Sequence, residues 1–163
     1  MIELRKFLLV GAVAALSACS NATGYSDPGA TGTPGGLVTD QTSPAYFQQA
    51  IGDRVFFAVD QSNLSPDAQA VLTAQAEWLI NNIDFSAVIE GHADERGTRE
   101  YNLALGARRA NAVREFLISR GVAGNRLQVV SYGKERPLEI CSDEGCYSVN
   151  RRAVTVLSGG LMG

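Results

Sequence analysis

Charged side chains of both signs are concentrated in residues 91–102, where a predicted strand passes through a loop into a predicted helix. Asp94, in the loop, can accept hydrogen bonds from an ammonium group. Arg109, further along the helix, can pair with a carboxylate through its planar guanidinium. Loops at strand ends beside a helix N-terminus are common ligand sites. The segment therefore suits a zwitterionic ligand, and the alternative is a solvated surface pair of little energetic value.

Helical geometry separates two neighbouring arginines of the predicted helix. At about 100° per residue, Asn102, Leu105 and Arg109 lie on one side of the helix, whereas Arg108 points away from them. That side borders the apolar stripe of the helix, so Arg109 can bury its stem and present its donors. Spacing therefore favours Arg109 over Arg108 as the ligand residue.

Metal and catalytic chemistry find little support in the sequence. His92, Asp94 and Glu95 are possible metal ligands, but no second ligand cluster accompanies them, and we predict that His92 is a structural hydrogen-bonding residue. The chain contains no Gly-x-Ser-x-Gly nucleophile motif and no Gly-x-x-x-x-Gly-Lys phosphate loop. We expect a protein that is not an enzyme and uses no metal or cofactor.

The composition is that of a globular protein. Of 163 residues, 45% are hydrophobic and 19% are charged, which excludes a wholly disordered chain. The 14 basic residues are outnumbered by 17 acidic ones, for a net charge of −3. Because nucleic-acid binders usually carry a basic excess, we expect no nucleic-acid partner.

The N-terminus reads as a targeting segment. A basic start, an apolar core over residues 7–16 and small residues after it predict a signal peptide over residues 1–18. The Leu-Ser-Ala-Cys sequence ending at Cys19 resembles a bacterial lipobox, which implies cleavage before Cys19 and attachment of lipid to it. Two or more acyl chains give stable membrane anchoring. The residue directly after the cysteine, Ser20, is not Asp. By the same resemblance, this implies the outer membrane. The alternative is a plain signal peptide with an incidental cysteine.

The rest of the chain divides into a tether and one domain. Residues 20–43 are dominated by Gly, Pro, Ser and Thr. Such a segment buries too little apolar surface to offset its chain entropy. We therefore assign residues 19–43 to a lipidated N-terminus with a flexible linker, and residues 44–163 to a folded domain.

Periodicity and capping signals predict the elements of this domain. The predicted helices are a short one over residues 46–51, one that starts after Ser65 and keeps apolar spacing to Ile83, and a long one from Thr98 to Gly121. The predicted strands cover residues 54–59, 86–92, 126–132 and 152–157. The order of these elements predicts a two-layer α/β sandwich, with two main helices over a four-stranded mixed sheet.

Two cysteines of the domain remain beside Cys19. Cys141 and Cys146 lie in the sequence Cys-Ser-Asp-Glu-Gly-Cys. A signal peptide places them in an oxidising compartment, where a disulfide between them is favoured over a zinc site, which needs more ligands.

Several motifs in order resemble those of the OmpA-like domain family. The resemblance covers residues 54–157 and rests on Val-Phe-Phe-Ala-Val-Asp at 55–60, Glu-Gly-His-Ala-Asp-Glu-Arg-Gly-Thr at 90–98, Tyr-Asn-Leu at 101–103, Arg-Arg-Ala-Asn-Ala-Val at 108–113, Ser-Tyr-Gly-Lys-Glu-Arg-Pro at 131–137 and Asn-Arg-Arg-Ala-Val at 150–154. It implies an OmpA-like fold and non-covalent binding of peptidoglycan through the diaminopimelate of its stem peptide.

The resemblance also implies roles for particular residues. Asp94 and Arg109 are the principal ligand groups, and Asp60 and Leu105 line the same pocket. Two further positions are implied: Asn102 supports the site from the helix, and Arg151 is a weaker candidate near the rim. The chain departs from the family pattern at Val59, where relatives often carry an aromatic residue or leucine, and in the loop between the two cysteines.

Partners and location follow from the same resemblance. It implies an outer-membrane lipoprotein that faces the periplasm and works with TolB and other Tol proteins in holding and constricting the envelope during division. The nearest alternative is a module whose main ligand is TolB, with secondary binding to the wall.

Overall fold

The computed structural model describes residues 39–159. The predicted signal peptide, Cys19 and the predicted linker up to residue 38 lie outside these residues. Residues 40–43 form a hydrogen-bonded turn, and the carbonyl of Gln41 accepts a hydrogen bond of 2.7 Å from Nε1 of Trp78. Over residues 39–159, no helix has both the length and the apolar character that crossing a membrane requires.

Residues 39–159 contain four α-helices and four strands. The helices are α1 (Pro44–Tyr46), which continues as a π-helical segment (Phe47–Gly52), α2 (Pro66–Asn81), α3 (Arg99–Ser119) and α4 (Glu144–Asn150), with a 3₁₀ turn at Gly124–Arg126. The strands are β1 (Arg54–Phe56), β2 (Phe85–His92), β3 (Leu127–Gly133) and β4 (Arg152–Gly159).

The strands form one mixed sheet in the order β1-β4-β2-β3. The central strand β2 pairs parallel with β3 and antiparallel with β4, and β4 pairs antiparallel with β1. The core consists of buried side chains of α2 and α3 packed with those of the sheet, among them Leu72, Leu79, Ile89, Val113 and Leu117. The predicted two-layer α/β sandwich with two main helices is confirmed.

The two main helices begin at the predicted caps. The Ser65 hydroxyl accepts from the N–H of Ala68 at 3.1 Å, and the Thr98 hydroxyl accepts from the N–H of Tyr101 at 3.2 Å. These bonds satisfy backbone donors that the first turn of a helix leaves unpaired. The extension of the first helix to Ile83 is wrong, because α2 ends at Asn81 and Ile83 is 74% exposed.

The first strand is shorter than predicted. We predicted a strand over residues 54–59, but β1 ends at Phe56 and the chain turns toward α2. The N–H of Gln61 donates to the carbonyl of Ala58 at 3.2 Å, and Asp60 has a φ of 56°. A residue other than glycine is uncommon in this left-handed region, where Asp is among those tolerated. The apolar run Val-Phe-Phe-Ala-Val hid this turn.

Helix α4 was not predicted. It has only seven residues and follows a loop without apolar periodicity, so pattern analysis had little to detect. Its local signal is Asp143, whose side chain accepts from the N–H groups of Gly145 and Cys146. Asp is a favoured residue at a helix start.

Two glycines set the distance between α3 and the sheet. A side chain on Gly91 of β2 would collide with the backbone of Gly106 on α3, and one on Gly106 would collide with Ser131 of β3. The hydroxyl of Ser131 donates to the carbonyl of Leu103 at 2.6 Å, which holds the helix in this position. This close approach brings the first turns of α3 beside the end of β2.

Candidate ligand-binding site

A cavity of about 330 Å³ opens where the β1–α2 connection, the β2–α3 loop and the N-terminal half of α3 meet. Its lining residues are Val59, Asp60, Asp94, Arg96, Gly97, Tyr101, Asn102, Leu105 and Arg109. Five of the six residues predicted for the ligand site therefore meet around one cavity, and the sixth, Arg151, lies behind it. Val59, the noted departure from the family pattern, forms part of the wall.

Asp94 is nearly buried and is held by two arginines. The carboxylate accepts from Nη2 of Arg96 at 2.7 Å and from Nη1 of Arg151 at 3.2 Å, and the backbone N–H of Arg96 donates to it at 3.2 Å. Burial raises the pKa of Asp94, but the hydrogen bonds from Arg96 and Arg151 outweigh burial, so the pKa lies below its ordinary value of 3.8. Asp94 is therefore an anion at neutral pH.

Arg109 is completely buried and bonded to the backbone. Its Nε donates to the carbonyl of Gln61 at 2.8 Å, Nη1 to that of His92 at 2.8 Å, and Nη2 to that of Ala58 at 3.2 Å. Arg109 thus ties the β1–α2 connection to the end of β2. We expected this side chain to bury its stem and present its donors, but the guanidinium itself is buried and three of its donors bind carbonyls.

Arg109 keeps its charge in spite of this burial. Burial lowers the pKa of Arg109 to about 10, while the negative charges of Asp94 and Asp60 raise it. A pKa of about 10 still leaves the side chain cationic at neutral pH. Two of its five N–H groups are not bonded to carbonyls. A fixed cation therefore stands at the base of the cavity.

The neighbouring positions on α3 fall as helical geometry predicts. Asn102 is 1% exposed, and its Nδ2 donates to the carbonyl of Arg96 at 2.8 Å, which anchors the β2–α3 loop to the helix. Leu105 is buried and supplies an apolar wall. Arg108 is exposed, with its guanidinium 5.9 Å from the ring centroid of Tyr101. The predicted separation of Arg108 from Arg109 is confirmed.

Asp60 lies across the cavity on the β1–α2 connection. Its carboxylate accepts a hydrogen bond from the hydroxyl of Tyr101, and its backbone holds the left-handed turn described above. A strained residue at a cavity is a common feature of ligand sites. The cavity therefore has carboxylates on two of its walls, Asp60 and Asp94.

Arg151 does not lie at the rim. The expectation of a rim position is wrong, because its side chain is 6% exposed and donates to Asp94, to the carbonyl of Phe57 at 3.1 Å and to Glu144. The reason is that Arg151 directly follows α4, and its guanidinium lies between Asp94 and Glu144 of that helix. Its place is behind Asp94, where it supports the carboxylate.

Sequence analysis missed two side chains of the cavity. Arg96 donates to Asp94 and lines the cavity, and Tyr101 binds Asp60. Arg96 has a weak local signal, because an arginine two residues after an aspartate in a loop can reach its carboxylate. Tyr101 has none, because its partner lies 41 residues away in the chain.

His92 is buried but is not the hydrogen-bonding residue that we predicted. Neither ring nitrogen has a hydrogen-bond partner within residues 39–159, and Nε2 lies 3.7 Å from a carboxylate oxygen of Glu90. Burial, with the positive charges of Arg152 and Arg136, lowers the pKa of His92 to about 4. The ring is therefore neutral at neutral pH, and the contribution of His92 to the site is its carbonyl, which binds Arg109.

Cys141 and Cys146 form the predicted disulfide. Within residues 39–159, the grouping of His, Cys, Asp or Glu close enough to hold a metal ion is Cys141, Asp143 and Cys146. Both sulfurs of that group are joined to each other. Thiolates are the form in which cysteine binds metals, so the oxidised pair does not offer a metal site.

The fold and the matched sequence define the class of protein. The OmpA family model matches residues 56–151, more than half of the chain. The chain therefore belongs to the OmpA family, and the resemblance stated from its motifs is confirmed.

Individual relatives narrow this class. The chain is 52% identical over 161 residues to the peptidoglycan-associated lipoprotein of Mesorhizobium japonicum, covering 98% of this chain and 91% of that protein. It is 58% identical over 113 residues to the protein of that name in Brucella melitensis, covering 69% and 67%. The crystal structure of the peptidoglycan-associated lipoprotein from Burkholderia pseudomallei matches with a TM-score of 0.66 and 38% identity, over 68% of this chain and 96% of that one. Within the OmpA family, the chain thus groups with the peptidoglycan-associated lipoproteins.

Proposed function

We propose that this protein binds peptidoglycan non-covalently through the diaminopimelate of the stem peptide. The observation that carries the proposal is the charge arrangement of the cavity, in which the carboxylates of Asp60 and Asp94 line the same space as the buried cation of Arg109. The names of the relatives, peptidoglycan-associated lipoproteins, support association with peptidoglycan.

The chemistry of diaminopimelate matches these charges. The free end of its side chain carries an ammonium and a carboxylate on one carbon atom. In the proposed complex, the ammonium binds Asp94 or Asp60, and the carboxylate binds the two N–H groups of Arg109 that are not bonded to carbonyls. Hydrogen bonds in which both partners are charged are about twice as strong as neutral ones. Leu105 packs against the aliphatic carbons between the two ends of the ligand.

We further propose that binding is the whole activity of the domain. The cavity carboxylate Asp94 has a low pKa and is held by arginines, which does not suit a general acid. Incubation of the protein with sacculi should release no sugar or peptide fragments. Release of soluble fragments in proportion to protein and time would identify an enzyme instead.

Anchoring supplies the second half of the proposal. Lipid on Cys19 would hold the protein in the outer membrane, and the linker over residues 19–43 would let the domain reach the wall from there. The lipobox-like sequence and the lipoprotein names of the relatives support this arrangement. Radiolabelled palmitate should enter the wild-type protein in cells and should not enter the Cys19→Ala variant.

The resemblance also leads us to propose a partnership with TolB and the other Tol proteins in envelope constriction at division. A pulldown of TolB, repeated with increasing soluble stem peptide, tests this partnership. Capture of TolB supports it, and loss of capture as peptide is added would show that both ligands use one site. A protein that never captures TolB contradicts it.

Sedimentation with purified sacculi tests the ligand site. Asp94→Ala should lower the bound fraction at least about tenfold, because it removes a charged hydrogen-bond acceptor. Arg108→Ala, a control at an exposed charge beside the cavity residue Arg109, should change binding less than about twofold because Arg108 lies outside the cavity. Sacculi with lysine in place of diaminopimelate lack the second carboxylate and should bind weakly. Equal binding of the two variants, or equal binding to diaminopimelate and lysine sacculi, would contradict the proposed ligand site.

A further inference from the structure

The start of helix α4 is fixed by two constraints. The disulfide joins Cys141, just before the helix, to Cys146 in its first turn, and the carboxylate of Asp143 accepts from the N–H groups of Gly145 at 2.8 Å and Cys146 at 3.3 Å. A helix of seven residues has little stability of its own in water. The disulfide and the cap therefore determine where the side chains of α4 point.

Two of those side chains reach the arginines that hold Asp94. Glu144 pairs with Arg151, and its other oxygen lies 3.8 Å from Nη2 of Arg96. The ring of Tyr147 lies under Arg96, 4.5 Å from its guanidinium carbon. Each of these arginines also donates to the Asp94 carboxylate, Arg96 from the same Nη2 and Arg151 from Nη1. A continuous set of contacts thus runs from the disulfide through Glu144 to the cavity.

Arg96 is the more exposed of the two arginines that hold Asp94. Its side chain is 44% exposed, whereas that of Arg151 is 6% exposed. A long, exposed side chain that lines a cavity can swing across it, which would remove its hydrogen bond to Asp94 and fill the space that the ligand occupies. Contacts to Glu144 and Tyr147 restrain the Arg96 guanidinium beside Asp94. The side chain is therefore already ordered before the ligand binds, and binding loses less conformational entropy.

We propose that α4, with its Cys141–Cys146 disulfide, is a positioning element for the ligand site, in which Glu144 orients Arg96 and Arg151 and these in turn fix the Asp94 carboxylate. Glu144 touches no ligand in this proposal and acts through the two arginines. The inference rests on the proposed function, because the site that α4 positions is the one proposed to bind the ammonium of diaminopimelate.

Calorimetric titration with a soluble muropeptide that ends in diaminopimelate tests the proposal. Glu144→Ala should raise Kd about two- to tenfold, the effect of releasing one or two ordered side chains. Replacing both cysteines by serine should raise Kd by a similar factor. The combined variant should bind no more weakly than Glu144→Ala alone, because both changes act on one set of contacts. Glu139→Ala, which removes an exposed glutamate from the loop before α4, should leave binding as in the wild type.

A measurement without ligand makes the result independent of the proposed function. Nuclear relaxation of the Arg96 Nε–H group should show a lower order parameter in Glu144→Ala and in the double serine variant, and no change in Glu139→Ala. An unchanged order parameter would overturn the positioning role. So would a combined variant whose increase in Kd equals the product of the two separate increases. Failure of the wild-type protein itself to bind the muropeptide would overturn the proposed function, and the order parameters would still decide whether α4 holds Arg96.

Discussion

Two arginines bind backbone carbonyls at opposite ends of β2. Arg109 donates to the carbonyl of the last residue of the strand, His92, and Arg126 donates to that of the first, Phe85. Each also ties in a neighbouring segment: Arg109 the β1–α2 connection, and Arg126 the C-terminal end of α2 through Leu79. As structural links between elements, the two side chains are alike.

Their electrostatic surroundings differ. Arg109 is buried beside a cavity that contains Asp94 and Asp60, and their charges act on it. Arg126 is partly exposed and makes no ion pair within the part of the chain that the structure describes. An arginine that secures the backbone becomes a candidate ligand group where an open space and opposing charges accompany it. An arginine such as Arg126, which binds carbonyls but has no cavity with opposing charges beside it, contributes only to the fold.

Removal of either guanidinium tests the shared structural role and should have the largest effect. Arg109→Ala should lower the free energy of unfolding by about 3 kcal/mol, because three carbonyls lose their donors and buried acceptors are costly to leave unpaired. Arg126→Ala should lower it by about 2 kcal/mol, since two of the three residues whose carbonyls it binds, Asn82 and Phe85, are partly exposed. Urea unfolding measures both, and a loss below about 0.5 kcal/mol for either would remove the comparison.

Lysine at each position separates the two roles. Arg109→Lys keeps a charge but loses the planar arrangement of donors, so the Kd for a diaminopimelate muropeptide should rise about 30-fold, equivalent to ~2 kcal/mol. Arg126→Lys should leave Kd unchanged while lowering stability. Equal effects of the two substitutions on Kd would mean that both act only through the fold.

Acid should lower the free energy of unfolding by a smaller amount, through His92 at the cavity end of β2. The pKa of His92 is lowered from 6.5 to about 4, so the unfolded chain takes up a proton there before the folded protein does. The stability from burying the neutral ring is therefore complete above pH 6.5 and decreases as the pH falls toward 4. Between pH 7 and about 5.5 the loss should be about 1 kcal/mol.

Unfolding at both pH values measures this loss. His92→Leu should abolish it, because the ring nitrogens have no partners in the described chain that leucine would leave unpaired. Arg126→Lys should retain it in full. The same pH dependence in the His92→Leu variant would contradict the assignment to His92.

Local patterns predicted what depends on local geometry. The common side of Asn102, Leu105 and Arg109 follows from the helical repeat, and the caps at Ser65 and Thr98 follow from residue type at helix starts. These features need no knowledge of the rest of the chain, so the sequence alone predicts them.

The remaining features depend on contacts between distant segments. Arg151 donates to Asp94, 57 residues away in the chain, and also pairs with Glu144 of α4. The end of β1 is set partly by Arg109, which binds the carbonyl of Ala58 from 51 residues away. Apolar periodicity contains no information on such contacts. The motifs shared with the family indicated Arg151 as a weaker candidate near the rim, and that position is wrong because its side chain is 6% exposed.

A crystal structure with a bound diaminopimelate tripeptide tests the central claim most directly. The account predicts the ligand ammonium within hydrogen-bonding distance of the Asp94 or Asp60 carboxylate, and the adjacent ligand carboxylate on the free N–H groups of Arg109. Density for the tripeptide at another surface, or an empty cavity at a concentration that saturates binding in solution, would contradict it.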